Sequence, residues 1–197
     1  MRWRLSIGVL AMALIGCAAA AAGPPPSMFP LADGNRWTFR STAVGGVRTL
    51  SVEQRQGALV LNGFPGVGPL RVRTTGRTVE AWDTADRRWE ALLRFGAPTG
   101  SAYRVSLGEA PLWRGALVTV ASKKATVHGS GERAYRACTQ FTLRPPAKLA
   151  DAGVLELSFA PGVGPVNWVE QSIAGPREWA LASYRQGAKH RRVAAEE

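Results

Sequence analysis

Residues Leu155–Val166 read LELSFAPGVGPV, a short apolar–polar alternation that runs into a corner rich in glycine and proline. Leu155, Leu157 and Phe159 alternate with two polar residues, which is the pattern of an antiparallel strand with one buried face. Pro161 and Pro165 cannot donate ladder hydrogen bonds, and Gly162 and Gly164 permit left-handed backbone conformations. This stretch therefore predicts a strand followed by a sharp corner.

The same corner occurs earlier in the chain. Pro65–Pro69 has the sequence PGVGP, identical to Pro161–Pro165, and Trp82 and Trp179 follow the two copies at nearly the same spacing. One interpretation is an old duplication of residues 28–105 and 106–186, fused into one domain. The alternative is that two similar turns arose by chance in a chain rich in glycine and proline.

The rest of the chain continues the strand pattern, with tight-turn signals at Gln56-Gly57 and Gly76-Arg77. No stretch after the N-terminus keeps a helical apolar stripe over three turns. We expect strands at 35–42, 47–54, 58–62, 70–75, 78–83, 88–95, 102–107, 116–128, 134–144, 153–160, 166–173 and 177–185. The predicted fold is all-β and mainly antiparallel, a strongly curved sheet or an open barrel, with little helix.

The N-terminus has the layout of an export signal. Arg2 and Arg4 precede the apolar run Leu5–Ile15, and Gly16 and Cys17 follow it. This run is shorter than the about 20 apolar residues of a membrane-spanning helix. The segment Leu14-Ile15-Gly16-Cys17 resembles the cleavage site of bacterial lipoproteins.

The lipoprotein resemblance implies a signal peptide at 1–16 and a Cys17 that carries acyl chains, palmitate among them. Residues 17–28 would be the acylated cysteine and a flexible tether. Ala18 after the cysteine implies the outer membrane, on its periplasmic face. The alternative is an ordinary secreted protein cut at an Ala-x-Ala site within 18–22.

The length and charge of the chain limit its domain organisation and its possible partners. We expect one β-rich domain over 29–186, a disordered tail over 187–197, and a monomer. The formal net charge is +11, and 21 of the 25 basic residues are arginine. This charge favours anionic partners such as anionic lipid or lipopolysaccharide, unless it reflects codon usage alone. Export and the lack of a recognition motif argue against nucleic acid.

Two motifs in the body of the chain carry a second resemblance. Residues 29–39 (FPLADGNRWTF) and 160–166 (APGVGPV) resemble the "FPL..GN.W.Y" and "APGVG.V" elements of exported bacterial β-proteins without assigned function. Phe39 replaces the usual tyrosine, and Pro165 replaces an aliphatic residue. The resemblance implies an exported β domain and no catalytic residues. A looser likeness is to the lipoprotein-carrier fold, a curved sheet around an apolar cavity.

Few residues have catalytic potential. The two histidines are His128, before a glycine turn, and His190, in the predicted tail. No His/Cys cluster has the spacing of a metal site, and no motif indicates a cofactor. Cys138 cannot form an internal disulfide in the mature chain if Cys17 is acylated, and we expect it to be a small buried residue. We therefore predict that the protein is not an enzyme.

Tryptophans are the remaining candidates for a binding site. Trp37, Trp168 and Trp179 lie on strands that carry the family-like motifs, and they would line a ligand cavity if one exists or pack in the core if not. The sequence favours a non-enzymatic envelope lipoprotein that binds or scaffolds envelope proteins. The alternatives are a carrier or sensor of lipid or other apolar ligands, and an undetected hydrolase.

Overall fold

The computed structural model describes residues 26–41, 43, 45–131, 133–145 and 153–187. These residues form twelve strands, β1 (Arg36–Ser41), β2 (Val47–Arg55), β3 (Ala58–Asn62), β4 (Leu70–Thr75), β5 (Thr78–Asp83), β6 (Arg88–Arg94), β7 (Ala102–Val105), β8 (Ala116–His128), β9 (Ala134–Arg144), β10 (Gly153–Ala160), β11 (Gly164–Ser172) and β12 (Gly175–Arg185). In these ranges no helix is long and apolar enough to cross a membrane. The predicted signal peptide, Cys17 and nearly all of the tail fall outside them.

All twelve strands belong to one antiparallel sheet. Its order is β6-β5-β4-β3-β2-β1-β12-β11-β10-β9-β8-β7, so strands that are consecutive in the chain pair with each other except β6 and β7, and β1 also pairs with β12. The two edges, β6 and β7, are consecutive in sequence, and the sheet curls into a nearly closed barrel. The predicted all-β, antiparallel class is confirmed.

Side chains rather than a backbone ladder bridge the gap between β6 and β7. The Tyr103 hydroxyl on β7 accepts a hydrogen bond from Arg94 N–H at 3.0 Å and donates one to the Leu92 carbonyl at 3.2 Å. Nearby, Ser106 N–H donates to a carboxylate oxygen of Glu90 at 3.4 Å. These bonds cover two strand edges that would otherwise expose unpaired backbone groups.

Antiparallel connections alternate between the two ends of the barrel. One end, the mouth, holds the β4–β5, β6–β7 and β10–β11 connections, and the chain enters the structure there at Pro26. The other end, the base, holds the β1–β2, β3–β4 and β11–β12 connections. The two PGVGP corners thus lie at opposite ends.

Each PGVGP corner is held by a buried tryptophan from the other predicted half of the chain. Trp37 Nε1 donates to the Val163 carbonyl at 2.6 Å, and Trp113 Nε1 donates to the Pro65 carbonyl at 2.9 Å. The relationship is reciprocal, as in a pair of units related by a two-fold axis. The duplication itself stays a prediction.

Large side chains fill the middle of the barrel. Barrel diameter grows with strand number, so twelve strands enclose more space than the aliphatic side chains of a small barrel can fill. Phe39 and Trp168 meet there with ring centroids 4.1 Å apart, and Trp168 faces Trp179 at 6.2 Å. Aromatic rings therefore pack beside the aliphatic side chains in the middle of the barrel.

The alternation in β10 differs from the prediction. A bulge between Val154 and Glu156 and another at Ser158/Phe159 shift the register against β11, so that Leu155 is only half-buried and Ser158 is fully buried. The Ser158 hydroxyl donates to Glu156 and accepts from the Gln140 amide. Bulges re-aim side chains in this way, and periodicity alone does not reveal them.

Candidate functional site

A cavity of about 530 Å³ opens at the mouth of the barrel. Its wall comes from the entering chain, the β4–β5 turn, the end of β6, the middle of β8 and β9, and the second PGVGP corner. The lining residues are Pro26, Ser27, Met28, Phe29, Thr74, Gly76, Arg77, Val79, Phe95, Lys123, Ala137, Thr139 and Pro161. Cavities of about 300 to 1,000 Å³ are typical of small-molecule sites.

Aromatic and aliphatic side chains form the floor of this cavity. Phe29, Val79 and Phe95 are buried and face it. Phe95 packs edge-on against Phe159 at 5.1 Å, which also meets Phe29 at 5.3 Å. The floor is therefore a rigid, apolar surface continuous with the core.

Two cationic side chains, Arg77 and Lys123, lie beside the turn at residues 95–97, at the rim of the cavity. Lys123 Nζ donates to the Ala97 carbonyl at 2.9 Å. The Arg77 carbonyl accepts from Phe95 N–H at 2.9 Å, and Arg77 Cβ lies 3.5 Å from the position that a Cβ on Gly96 would take. The residues 95–97 thus bring Arg77 and Lys123 to neighbouring positions.

These two cations have no acidic neighbours in the wall. No aspartate or glutamate belongs to the lining residues that the structure describes, and no ion pair formed within the described ranges includes Arg77 or Lys123. The potential in the cavity is consequently positive.

A strained backbone position lies on the β9 side of the wall. Ala137 has a φ of 55°, in the left-handed region that non-glycine residues rarely adopt. It sits in an irregular part of the β8–β9 pairing, opposite the register shift between Ala125 and Val127 on β8. This irregularity turns Ala137 and Thr139 toward the cavity.

An ion pair packs against a tryptophan at the base of the barrel. Arg48 binds Glu170, and its guanidinium lies 4.4 Å from the ring centroid of Trp179. Trp179 Nε1 donates to the second carboxylate oxygen of Glu170 at 3.2 Å. Together these three side chains pack over Trp168 and the core at this part of the base.

Tryptophans that are not in the core lie on the outer face near the β6 edge. Trp82 and Trp89 are half-buried and meet edge-on at 5.5 Å, with Arg73 4.3 Å from the Trp89 ring. The Arg73 side chain hydrogen-bonds Glu80 and thereby lowers the pKa of that carboxyl. The arginines are thus held flat against the rings.

The predicted ligand tryptophans occupy the interior and do not line the cavity. Trp168 and Trp179 come together as a register pair of β11 and β12. Trp37 lies apart from them, stacked on Tyr184 at 5.1 Å between ring centroids. Their role in ligand binding stays a prediction.

The other residues considered from the sequence are dispersed. Cys138 is fully buried, as expected, and burial raises the pKa of its thiol. His128 is exposed at the end of β8. Within the described residues no group of three or more His, Cys, Asp or Glu side chains could hold a metal ion. Cys17 and His190 lie outside those residues.

Comparison with protein-family models finds no match to this chain, and comparison with curated proteins finds none either. Among solved structures, the chain is similar to a protein from Bacteroides fragilis NCTC 9343 that is described as exported and of YmcC-like fold. The identity is 14%, the match covers 82% of this chain and 100% of that chain, and the TM-score is 0.43. A protein from Parabacteroides distasonis ATCC 8503 that is described as a lipoprotein matches at 8% identity, 82% and 100% coverage, and a TM-score of 0.41. Similarity at this level carries no inference about function.

Sequence reasoning missed the residues that form the cavity. Gly76-Arg77 indicates a tight turn, and Lys123 belongs to an isolated basic pair. Neither signal indicates that Arg77 and Lys123 lie close together in the fold. Phe95 reads as an ordinary strand residue. The strands that carry these residues are distant in the sheet order, so only closure of the barrel brings them together.

Proposed function

We propose that this protein is a lipid-anchored, non-enzymatic binding protein of the bacterial envelope that takes a lipid or other apolar ligand into the mouth of its barrel. The observation that carries the proposal is the cavity of about 530 Å³ with Phe29, Val79 and Phe95 on its floor. Its size and apolar lining match those of small-molecule sites.

The predicted anchor supports a ligand drawn from the membrane. Cys17 precedes Pro26 by nine residues, and Pro26 belongs to the cavity wall. A chain of that length spans at most about 30 Å. An acylated Cys17 therefore keeps the mouth close to the bilayer. The lipoprotein resemblance implies, through Ala18, that this bilayer is the outer membrane and that the protein lies on its periplasmic face.

Lipid retention by a matched pair of variants tests this proposal. Thr74 lines the cavity, whereas Thr75, the next residue of β4, bonds Glu80 on the outer face. Thr74→Trp fills the mouth and Thr75→Trp does not. Mass spectrometry of the purified, acylated protein should find a bound apolar ligand in the wild type and in Thr75→Trp, and much less in Thr74→Trp. Equal amounts in all three, or none in the wild type, would exclude the cavity as a ligand site.

The anchor needs its own measurement. Cys17→Ser removes the acylated side chain, so the protein should leave the membrane fraction of fractionated cells. Retention of the Cys17→Ser protein in the membrane with normal processing would refute the lipid anchor, although it would leave the cavity assignment untouched.

A scaffolding role has separate support from the outer face. Trp82 and Trp89, with Arg71 and Arg73 over their rings, form an aromatic patch of the kind enriched at protein interfaces. Crosslinking in cells followed by isolation of the anchored protein would detect an envelope partner. Loss of that partner in Trp89→Ala, with the ligand content of the cavity unchanged, would assign it to this patch.

A further inference from the structure

We infer that the mouth cavity selects an amphiphile with one acyl chain and an anionic head, with the head held between Arg77 and Lys123. This inference rests on the proposed function and adds the chemistry of the ligand. It follows from the charge of the wall, the position of the cations and the apolar floor of the cavity.

The charge of the residues in the cavity wall determines the charge expected of the ligand's head group. Arg77 and Lys123 are the charged residues among those described in the lining, and neither forms an ion pair with a described carboxylate. An anionic group at this place gains charge-assisted hydrogen bonds without displacing a resident carboxylate. A cationic head meets repulsion only.

The hydrogen-bonding capacity of the two cations is largely unused. An ammonium group has three donors, and Lys123 gives one of them to the Ala97 carbonyl at 2.9 Å. This bond fixes the side chain beside the turn at 95–97 and leaves two donors. Arg77 flanks the same turn through Phe95 and Gly96, so the proposed head group lies against both side chains.

The orientation of the ligand follows from the floor and the rim. Phe29, Val79 and Phe95 lie below the cations, so the acyl chain faces the apolar floor while the head stays at the rim. A ligand with an acyl chain and an anionic head consequently enters the mouth tail first.

The volume sets the number of chains. About 530 Å³ lies in the middle of the range for single small-molecule ligands. A lipid with one acyl chain belongs to the size class that such a site takes, and this match sets the expected ligand at one chain. Fatty acids and monoacyl phosphate esters share the required chemistry.

Photo-crosslinking on the intact protein tests the inference. The acylated full-length chain is placed in phosphatidylcholine vesicles with one of three diazirine probes of equal chain length: palmitate, monopalmitoyl phosphatidic acid, or neutral monopalmitoylglycerol. Labelled peptides are mapped by mass spectrometry. We expect half-maximal labelling of the mouth at about tenfold lower concentration for an anionic probe than for the neutral one, the gain of a hydrogen bond to a charged group. Preference for the carboxylate or for the phosphate then distinguishes the two sources of the head.

Variants of the two cations separate the effect of their charge on binding from the effect of the cavity's shape. Arg77→Gln and Lys123→Gln should each raise the half-maximal concentration of the anionic probe about tenfold and leave that of the neutral probe unchanged. Lys123→Arg should keep the preference for the anion. Lys124→Gln, a change at the adjacent exposed lysine, is the matched control and should resemble the wild type. Thermal unfolding of each variant verifies that it is folded.

Two results would overturn the inference, and they differ in what they leave standing. Equal labelling by anionic and neutral probes, unaffected by Arg77→Gln and Lys123→Gln but lost in Thr74→Trp, would refute the anionic head and retain the apolar cavity. Labelling of the mouth by none of the probes would refute the inference and the proposed function together.

Discussion

The indole Nε1 of Trp37 donates a hydrogen bond to the Val163 carbonyl at 2.6 Å, and this bond joins the two motifs by which the chain resembles exported β-proteins. Gly164, in the second motif, also packs against the Trp37 ring. Asn35, in the first motif, donates to the Pro30 carbonyl at 2.6 Å and accepts from Gly187 N–H at 2.8 Å. The first motif therefore contacts the segment before β1, the segment after β12 and the corner beside the cavity.

The Trp37 bond should be measurable by comparison with Trp168, because both rings are fully buried but Trp168 Nε1 has no acceptor among the described atoms. Trp37→Phe and Trp168→Phe remove similar ring volume, and only Trp37→Phe removes the donor to the partly buried Val163 carbonyl. We expect Trp37→Phe to lower the free energy of unfolding by about 1–3 kcal/mol more than Trp168→Phe. Urea denaturation of both variants gives the difference, and equal losses would mean that the bond adds nothing.

Equivalent glycines of the two PGVGP corners should respond differently to alanine. Gly164 has a φ of 96°, and a Cβ there would lie 3.1 Å from Trp37 Nε1, whereas a Cβ on Gly68 would meet nothing within 4 Å. Gly164→Ala should therefore destabilise by about 1–3 kcal/mol from backbone strain, and Gly68→Ala should be close to neutral. Melting temperatures of the two variants provide the test, and similar values would argue against a special role for the second corner.

Closure of the barrel should depend on the Tyr103 hydroxyl. Tyr103→Phe leaves Arg94 N–H and the Leu92 carbonyl without their partner across the gap, at an expected cost of about 1–3 kcal/mol. Hydrogen exchange should show faster exchange at the Arg94 amide in Tyr103→Phe than in the wild type, with the amides of β1 and β12 unchanged. An unchanged Arg94 amide would show that the gap is closed by other contacts.

Stability should fall at alkaline pH through the same residue. Burial raises the pKa of Tyr103 to about 12 from its ordinary value of 10.0. Above pH 10 the unfolded chain loses this proton while the folded protein keeps it, so the contribution to stability is complete below pH 10 and is lost as the pH rises toward 12. Urea midpoints of the wild type should decline over this range more steeply than those of Tyr103→Phe. Parallel declines would indicate that other groups cause the loss.

Cys138 should be unreactive in the native protein. Its side chain is fully buried and burial raises the pKa of the thiol, which reduces the thiolate fraction. We expect negligible alkylation of Cys138 by iodoacetamide under native conditions and complete alkylation in denaturant, measured by mass spectrometry. Rapid native labelling would indicate that β8 and β9 open locally.

The strands of this barrel were predictable because their signals are local. Alternating side chains and the turn residues at Gln56-Gly57 and Gly76-Arg77 depend on neighbours in the chain, and the pairings β2–β3 and β4–β5 follow from them. The burial of Ser158 was not predictable, because it depends on where bulges fall in the pairing of β10 with β11. The candidate site escaped prediction for a related reason, since Arg77 and Lys123 come from hairpins that are far apart in the sheet order.

The sequence by itself determined an antiparallel β architecture and the burial of Cys138, and it predicts a signal peptide over 1–16, since each depends on composition or periodicity over a few residues. Tertiary structure alone decided that β1 pairs with β12, that Tyr103 bridges the remaining gap, and that the mouth keeps a cavity with a cationic rim. The physical reason is the curvature of the sheet. Sheet curvature determines which distant strands meet and how much space the aromatic side chains leave unfilled. Both depend on the whole sheet and not on any one segment of the sequence.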